Sequence, residues 1–441
     1  MMTRFPLIAL LAGTVALAGC NQRELILPGQ RLDPRAVFSP DGPPIEGSQG
    51  PTTAALSLPA VRGNADWTNV GGNPAHFIGN VAIGQGTNLA FAANIGQASD
   101  RRHRITADPI VGGGLVYTLD SRARVTATMT SGQPAWSQNI ADPGEIGDSI
   151  SGGGIAYEGG RVFVTTGYGE VVALDARSGG VIWRQKVEAL TSGAPTVADG
   201  VVYIAARNAT GWAIRASDGR ALWQVGGNLA VAGVMGASSP AVSGKTVVFP
   251  FASGQLIAVD TATGQQLWTA QVAGSRKGRS IGLLRDMTGD PVIVGNRVYA
   301  GTSSGRIAAF DLATGVEVWN SRNGAMNPPL VAGNSIFAIS DESQLVRIDA
   351  ANGATVWSVD LPQFTTAKVK KQAKVYAHFG PVLAGSKLYV ASSDGKLRIF
   401  SPANGALLGE VNLPAGASAD PVVAGQTLYV VTESGQLIAY R

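Results

Sequence analysis

The sequence has few of the residues on which catalytic and metal sites depend, with one cysteine and three histidines among 441 residues. A single cysteine does not supply the cysteine and histidine spacing of a zinc site. A Ser/His/Asp site would have to use His76, His103 or His378, and no nucleophile elbow accompanies any of them. We therefore predict no catalytic residue and no metal ligand.

The excess of positive charge is also small, with a formal net charge of +4. Basic residues cluster at 101–104, 276–279 and 368–374, all between the repeats described below. We predict no nucleic-acid binding, because these clusters lie on loops without stacking aromatics in a chain that carries an export signal. They are either ordinary solvated loop residues or contacts for acidic lipid head groups or an acidic protein surface.

The first twenty residues have the organisation of that signal. Arg4 precedes an apolar run over residues 7–18, which is too short for a transmembrane helix. The run ends in Leu17-Ala18-Gly19-Cys20, which resembles a bacterial lipobox. We predict that residues 1–19 are a lipoprotein signal peptide and that Cys20 is acylated, for example with palmitate. The alternative is an ordinary signal peptide cut nearby. Asn21, in place of an aspartate, favours the outer membrane.

Residues 20–60 contain seven prolines and few aromatic residues. Such a segment cannot bury a core, so it is predicted to be a tether. The globular part is then predicted to cover residues 61–441. That length exceeds an ordinary single domain, but ring repeats escape the limit because each unit packs mainly on its neighbours.

Six tryptophans close copies of one pattern, spaced roughly 38 to 51 residues apart. The clearest copy covers residues 290–319 and predicts four short strands joined by three tight turns. In its third turn Asp311 is expected to cap Thr314-Gly315, and Trp319 then packs between neighbouring sheets. The six docking tryptophans are Trp136, Trp183, Trp223, Trp268, Trp319 and Trp357.

The last copy starts at residue 420 and stops one strand short, at Arg441. The segment 89–95 resembles the missing tryptophan strand, with Phe91 in the ring position. Pairing it with the C-terminal strands would remove exposed sheet edges. The sequence thus predicts an all-β fold: an eight-bladed β-propeller of four-stranded antiparallel blades, closed by an N-terminal strand that joins the C-terminal blade.

The Ala-x-Asp-x-x-Thr-Gly-x-x-x-Trp pattern is similar to the tryptophan-docking motif of the pyrroloquinoline-quinone propeller superfamily. With the lipobox and the lead-in Trp67…Gly71-Gly72-Asn73-x-x-His76, the chain resembles the BamB family of outer-membrane assembly lipoproteins. The resemblance implies a non-catalytic scaffold of the BAM complex that carries no cofactor. It implies lipid anchoring at the periplasmic face of the outer membrane and binding to the POTRA region of BamA. The other BAM subunits would be reached through BamA, and unfolded outer-membrane barrels are a further expected partner, through strand addition.

Two other functions stay open. A quinone-dependent dehydrogenase would share the fold, although its vicinal cysteine pair cannot form in a chain with one cysteine. A propeller that binds a cell-envelope polymer would need exposed aromatic residues in its channel.

The resemblance also implies two partner-binding loops, residues 228–236 and 281–289. The residues expected to contact BamA are Ala232, Val234, Met235, Leu284, Arg285, Asp286 and Thr288. Met235 stands where the family carries an arginine and Thr288 where it carries an acid, so the interface is expected to be more apolar here. Exposed apolar residues rimmed by charge are typical of protein contacts. The alternative is that they pack into the rim or channel.

Overall fold

The structure, a computed structural model, describes residues 54–441 except for 86, 142–151, 188, 192, 231–237, 273, 275 and 277–285. Within these residues there are thirty-two β-strands and two 3-10 turns, Val70–Gly72 and Val369–Lys371. No helix in this part of the chain is long and apolar enough to cross a membrane. Cys20 and the predicted signal peptide lie outside the described residues.

The strands form eight four-stranded antiparallel sheets arranged in a ring, so the predicted eight-bladed propeller is confirmed. The first strand, β1 (Leu89–Asn94), belongs to the last blade. Blades 1 to 4 are β2–β5 (Ile110–Gly112, Leu115–Leu119, Arg124–Met129, Pro134–Asn139), β6–β9 (Gly153–Glu158, Arg161–Thr166, Glu170–Asp175, Val181–Lys186), β10–β13 (Thr196–Ala198, Val201–Ala205, Thr210–Arg215, Ala221–Gly226) and β14–β17 (Ala241–Ser243, Thr246–Pro250, Gln255–Asp260, Gln266–Gln271).

Blades 5 to 8 continue in the same order. They are β18–β21 (Met287–Val294, Arg297–Thr302, Arg306–Asp311, Glu317–Ser321), β22–β25 (Leu330–Ala332, Ser335–Ile339, Gln344–Asp349, Thr355–Asp360), β26–β29 (His378–Ala384, Lys387–Ser392, Lys396–Phe400, Leu407–Asn412) and β30–β32 (Val422–Ala424, Thr427–Thr432, Gln436–Tyr440) with β1. The two middle strands of each blade are mostly buried and the outer strand is half exposed, which accounts for the apolar pattern of the repeat.

The ring closes through both ends of the globular part. Strand β1 pairs antiparallel with β32, and Phe91 lies opposite Ala439. In blade 5 Trp319 lies opposite Ala309 in the equivalent pair of strands. Phe91 therefore occupies the tryptophan position of the last blade, and the predicted mixed closure is confirmed.

Each of the six tryptophans ties its blade to the following one. The indole Nε1 donates a hydrogen bond of 2.8–3.2 Å to a backbone carbonyl of the next blade. The acceptors, in chain order, are Ala176, Ala216, Thr261, Leu312, Ala350 and Pro402. The indole ring also covers the turn glycine of the next blade. Gly264 has a φ of +75°, and a Cβ there would lie 2.7 Å from Trp223. Only glycine adopts this positive φ readily and has no Cβ to clash with the indole ring.

The repeated aspartates cap turns. Asp311 accepts hydrogen bonds from the hydroxyl and the backbone N–H of Thr314, at 3.0 and 3.1 Å. Asp175 and Asp260 accept the same pair from the residues three positions further on. The side-chain hydrogen bond from Thr314 is the largest cause that lowers the pKa of Asp311. These carboxylates therefore stay ionised and hold the outer hairpins in register.

A segment ahead of β1, residues 62–84, covers the inner strands; we call it the plug. Three of its carbonyls accept backbone hydrogen bonds from blades 2, 4 and 5: Tyr157 to Thr68, Val242 to Pro74 and Ile293 to Ala75. Blades 1, 3, 7 and 8 are bound by Trp67, Asn69, Val81 and Gly84. The plug thus pairs with edges of the inner strands that face the channel.

The chain just before the plug contacts blade 6. Ala55 accepts a hydrogen bond from Asn334 Nδ2 at 2.7 Å, and Ser57 N donates to Asn334 Oδ1 at 3.0 Å. Leu56 and Leu58 pack against the core of that blade. The described chain therefore lies on the ring at residues that the sequence assigns to the end of the tether.

Candidate partner-binding face

The two sides of the ring carry different connections. Each inter-blade connection leaves the outer strand beside the turn between the second and third strands of its blade. Val187 N, for example, donates to Gly169 O at 2.9 Å, and Leu361 N donates to Ser343 O at 2.9 Å. We call this side the loop face. The opposite side, which carries the plug and the turns between the first and second strands, is the plug face.

The described ends of both predicted partner loops lie on the loop face. Ala232, Val234, Met235, Leu284 and Arg285 are outside the described residues. Asp286 is only 2% exposed, and the Thr288 hydroxyl donates to Ala325 O at 2.5 Å. These two side chains are thus held at the base of the second loop. A role in partner binding stays a prediction for all seven residues.

The bases of the two loops are joined to each other. Ser238 at the end of the first loop segment donates from its hydroxyl to Met287 O, at 2.5 Å. Ser239 N donates to Asp290 Oδ1 at 2.8 Å. Residues just after the first predicted loop are therefore hydrogen-bonded to residues at the end of the second loop and at the start of blade 5, while the central residues of both loops lie outside the described residues.

Asp290 is one of three carboxylates that precede the proline at the start of a blade; the others are Asp108 and Asp420. Asp420 accepts a hydrogen bond from Gly380 N at 2.7 Å and donates its own N–H to Asp108 Oδ1 at 2.8 Å. Each hydrogen bond joins a blade to the next. Each of the three stands in an Asp-Pro dipeptide at the start of its blade, and this shared dipeptide is the sequence signal by which the set can be found.

Burial changes the ionisation of these carboxylates. Asp290 is 8% exposed, and loss of hydration raises its pKa to about 7, against the opposing hydrogen bond from Ser239 N. Burial also raises the pKa of Asp420. The pKa of Asp108 is raised by burial and then by the charge of Asp420. Near neutral pH these carboxyl groups are therefore more protonated than ordinary aspartates, which are fully ionised.

A small cavity of about 50 Å³ lies between the plug and the inner strands, lined in part by Trp67, His76, Asp108, Pro329 and Asp420. Pockets for organic cofactors measure at least about 300 Å³. This cavity has room for a water or two. Water in this cavity would hydrate the buried carboxyl groups that line it. The cavity is too small for a quinone.

His76 of the plug makes structural contacts with the inner strands of the ring. His76 Nδ1 lies 2.8 Å from Pro291 O, and its Nε2 lies 3.3 Å from Thr196 Oγ1. Burial lowers the pKa of His76 to about 4, so the ring stays neutral. In the described part of the chain, no group of three or more His, Cys, Asp or Glu residues could hold a metal ion.

The three basic clusters differ in their surroundings. Arg101 and Arg102 are exposed beside Asp100. Arg276 forms an ion pair with Asp341 at 2.7 Å, while residues 277–279 lie outside the described chain. The third cluster lies on a hairpin between blades 6 and 7, with its lysines exposed.

Comparisons with known proteins agree with the architecture. The sequence profile of a family described as "Outer membrane protein assembly factor BamB" matches residues 121–359 and 363–441. Curated proteins of that name are 27% identical over 221 residues in Moranella endobia and 28% identical over 220 residues in Yersinia pestis. The matches cover 48% and 49% of this chain and 54% and 56% of those relatives, so the chain spans little more than half their length.

Solved structures share the fold. The crystal structure of BamB from Moraxella catarrhalis matches with a TM-score of 0.66 and 23% identity, over 78% of this chain and 99% of that one. A quinohemoprotein alcohol dehydrogenase from Comamonas testosteroni matches with a TM-score of 0.63 and 14% identity, over 85% of this chain and 80% of that one. At these identities the structural likeness establishes the propeller alone.

Proposed function

This chain belongs to the BamB family, and from that membership we propose that it is a non-catalytic scaffold of the outer-membrane β-barrel assembly machinery. In this proposal the loop face binds the POTRA region of BamA, and the other subunits are reached through BamA. The observation that supports the proposal is the pair of hydrogen bonds that join the described residues at the ends of the two predicted loops, Ser238 to Met287 and Ser239 to Asp290. In the proposal, loops that start from these joined positions together offer a continuous surface to a protein partner.

The geometry of the two sides supports this choice of face. The plug and residues 55–58 occupy the opposite side. A tether that enters there leaves the loop face free for a partner. The small cavity disfavours the quinone-dependent dehydrogenase, which needs a much larger site near the channel.

The direct test is the affinity of the soluble chain beginning at Asn21 for the POTRA region of BamA from the same organism. This form retains every described strand and the plug. We expect Val234→Asp and Leu284→Asp each to weaken binding about tenfold or more, because a charge replaces an apolar contact at the centre of the interface. Isothermal titration calorimetry would measure the effect.

A matched control is Leu408→Asp, on the outer strand of blade 7, where the side chain is 54% exposed. It makes the same chemical change away from the loop pair and should leave the affinity unchanged. Equal affinities for the loop variants, the control and the wild type would refute the loop face as the BamA site. No binding by any folded form would refute direct BamA binding, and binding to isolated peptidoglycan would then favour the polymer-binding alternative.

The variant Asp286→Asn distinguishes a direct contact with BamA from a structural role at the base of the loop. Because Asp286 is buried at the base of its loop, we expect this change to act mainly on stability, lowering the thermal midpoint. A loss of affinity at unchanged stability would instead make Asp286 a direct contact.

The proposal includes the outer-membrane location. Residues 1–19 act as a lipoprotein signal peptide, Cys20 carries the lipid, and the residues from Cys20 to the first described contact with the ring at Ala55 form the tether. We expect Cys20→Ser to abolish acyl incorporation and to move the protein from the membrane fraction, measured by radiolabelled palmitate and by cell fractionation. Labelling that persists in Cys20→Ser would contradict the assignment of this residue.

A further inference from the structure

The connection between blades 6 and 7 is a built hairpin, residues 362–377, which we call the lysine arm. Its strands meet in a bridge between Phe364 and Val375. Thr365 N donates to Lys374 O at 3.1 Å, and Tyr376 N donates to Gln363 O at 2.8 Å. The 3-10 turn Val369–Lys371 forms the tip. The arm therefore has a defined backbone conformation on the loop face.

Both ends of the arm are fixed to the ring. His378 is buried, with Nε2 at 2.9 Å from Pro362 O and Nδ1 at 2.7 Å from Ser392 Oγ. Burial lowers the pKa of His378, so the neutral ring keeps these contacts at physiological pH. Ala377 and Ser393 exchange two further hydrogen bonds. The base is thus held by contacts that the tip does not share.

The outer part of the arm is basic and apolar together. Lys368, Lys370, Lys371 and Lys374 are all exposed, and residues 361–377 include no aspartate or glutamate. Within the described chain, none of the four lysines forms an ion pair. Val369 and Val375 lie among them and are 63% and 60% exposed. Four exposed lysines without an acidic neighbour in the arm create a local positive potential, and two exposed aliphatic side chains lie within it.

We infer that the lysine arm binds the surface of an anionic phospholipid membrane. The lysine ammonium groups pair with lipid phosphates, and Val369 enters the head-group region beside them. The head-group region of a membrane accepts the charged lysines and the aliphatic valine together. The inference goes beyond the proposed scaffold role and does not depend on BamA. It gives the ring a second membrane contact, which turns blades 6 and 7 toward the bilayer.

Nucleic acid fits this surface less well. Its recognition uses aromatic side chains that stack on bases, whereas the tip of the arm, residues 366–374, contains no aromatic residue; Phe364 and Tyr376 lie further back on the two sides of the hairpin. An acidic protein surface also fits less well, because its carboxylates are bound best by the paired hydrogen bonds of arginine. Lysine makes a point-charge contact, which suits lipid phosphates. An acidic protein surface is the competing outcome that the experiment must separate.

The test uses the soluble chain from Asn21, which has no acyl group, in cosedimentation with vesicles. One set is neutral phosphatidylcholine, and the other is an equimolar mixture with phosphatidylglycerol. We expect binding to the anionic vesicles alone, weakening as salt rises. Replacing the four arm lysines with glutamine should weaken binding at least tenfold, since each lysine near such a surface contributes about a fivefold factor. Val369→Ser should weaken it about threefold.

A charge-matched control removes four exposed basic residues from the plug face. The control variant is Arg177→Gln, Arg220→Gln, Lys245→Gln and Lys387→Gln. It should retain binding within about twofold, although its net charge equals that of the arm variant. Circular dichroism and thermal unfolding would verify that all variants fold.

Three outcomes would overturn the inference. In the first, the arm variant binds as well as the wild type. In the second, the control loses as much as the arm variant, which would mean that net charge alone drives binding. In the third, the arm binds soluble polyglutamate and not vesicles, which would assign it to an acidic protein surface.

Discussion

Trp183→Ala is expected to destabilise the ring by about 4 kcal/mol, because a large buried ring is removed and a cavity remains. The Trp183 indole donates to Ala216 O at 3.0 Å, covers Gly219 of blade 3 and lies 6.0 Å from the Phe163 ring. The substitution removes a contact between blades 2 and 3, so it weakens the interface between two blades. Urea denaturation followed by tryptophan fluorescence and circular dichroism would measure it.

A second pair of variants measures how much of this destabilisation comes from the lost hydrogen bond of the indole N–H. Trp183→Phe keeps most of the ring and should cost about 1 kcal/mol more than Trp212→Phe, because of the lost bond to Ala216. Trp212 is equally buried, but its Nε1 has no hydrogen-bond partner in the described chain. Equal costs for the two phenylalanine variants would contradict a docking role for the indole N–H.

The Asp290 carboxyl group should make the stability of the ring fall as the pH rises from about 4 to about 7, and Asp290→Asn should remove that contribution. The folded-state pKa of Asp290 is about 7, above its ordinary value of 3.8. At this carboxyl group the folded chain therefore binds more protons than the unfolded chain across the window, so its contribution to stability decreases with pH. Buried His76, whose pKa is lowered to about 4, contributes in the opposite direction in both the wild type and the variant. A shift of this size corresponds to at most about 4 kcal/mol. Asparagine imitates the protonated carboxyl group and can still accept the hydrogen bond from Ser239 N.

The measurement is the urea midpoint at several pH values between 4 and 8 for the wild type and the variant. Asp218→Asn is the control, because hydrogen bonds from Arg220 N and Arg215 lower the pKa of Asp218. Its contribution is lost only when the pH falls below about 4, so it should not alter the slope within the window. A wild-type slope unchanged by Asp290→Asn would show that other groups set the pH dependence.

The repeat made most of the ring predictable. Asp311, Thr314-Gly315 and Trp319 act within one or two hairpins, and their local geometry recurs in successive blades. Local rules of turn and strand formation suffice for such units. Phe91 could be assigned by comparison with the same strand elsewhere, which fixed the closure of the ring.

The candidate face was only partly predictable. The positions of the two loops followed from counting between tryptophans and prolines. Burial of Asp286 did not follow, because it depends on how the start of blade 5 packs against distant residues. The same holds for the plug, whose residues carry no repeat and bond to strands up to several hundred positions away, such as Val81 to Leu383.

The sequence by itself determined the number of blades and the strand that closes the ring, because the periodic pattern is a local property repeated along the chain. Only the tertiary structure decided that the plug lies opposite the loop face, that Asp108, Asp290 and Asp420 have raised pKa values, and that the lysine arm is fixed at its base. Burial and charge proximity arise between residues far apart in the chain, and such long-range relations leave no periodic trace in the sequence.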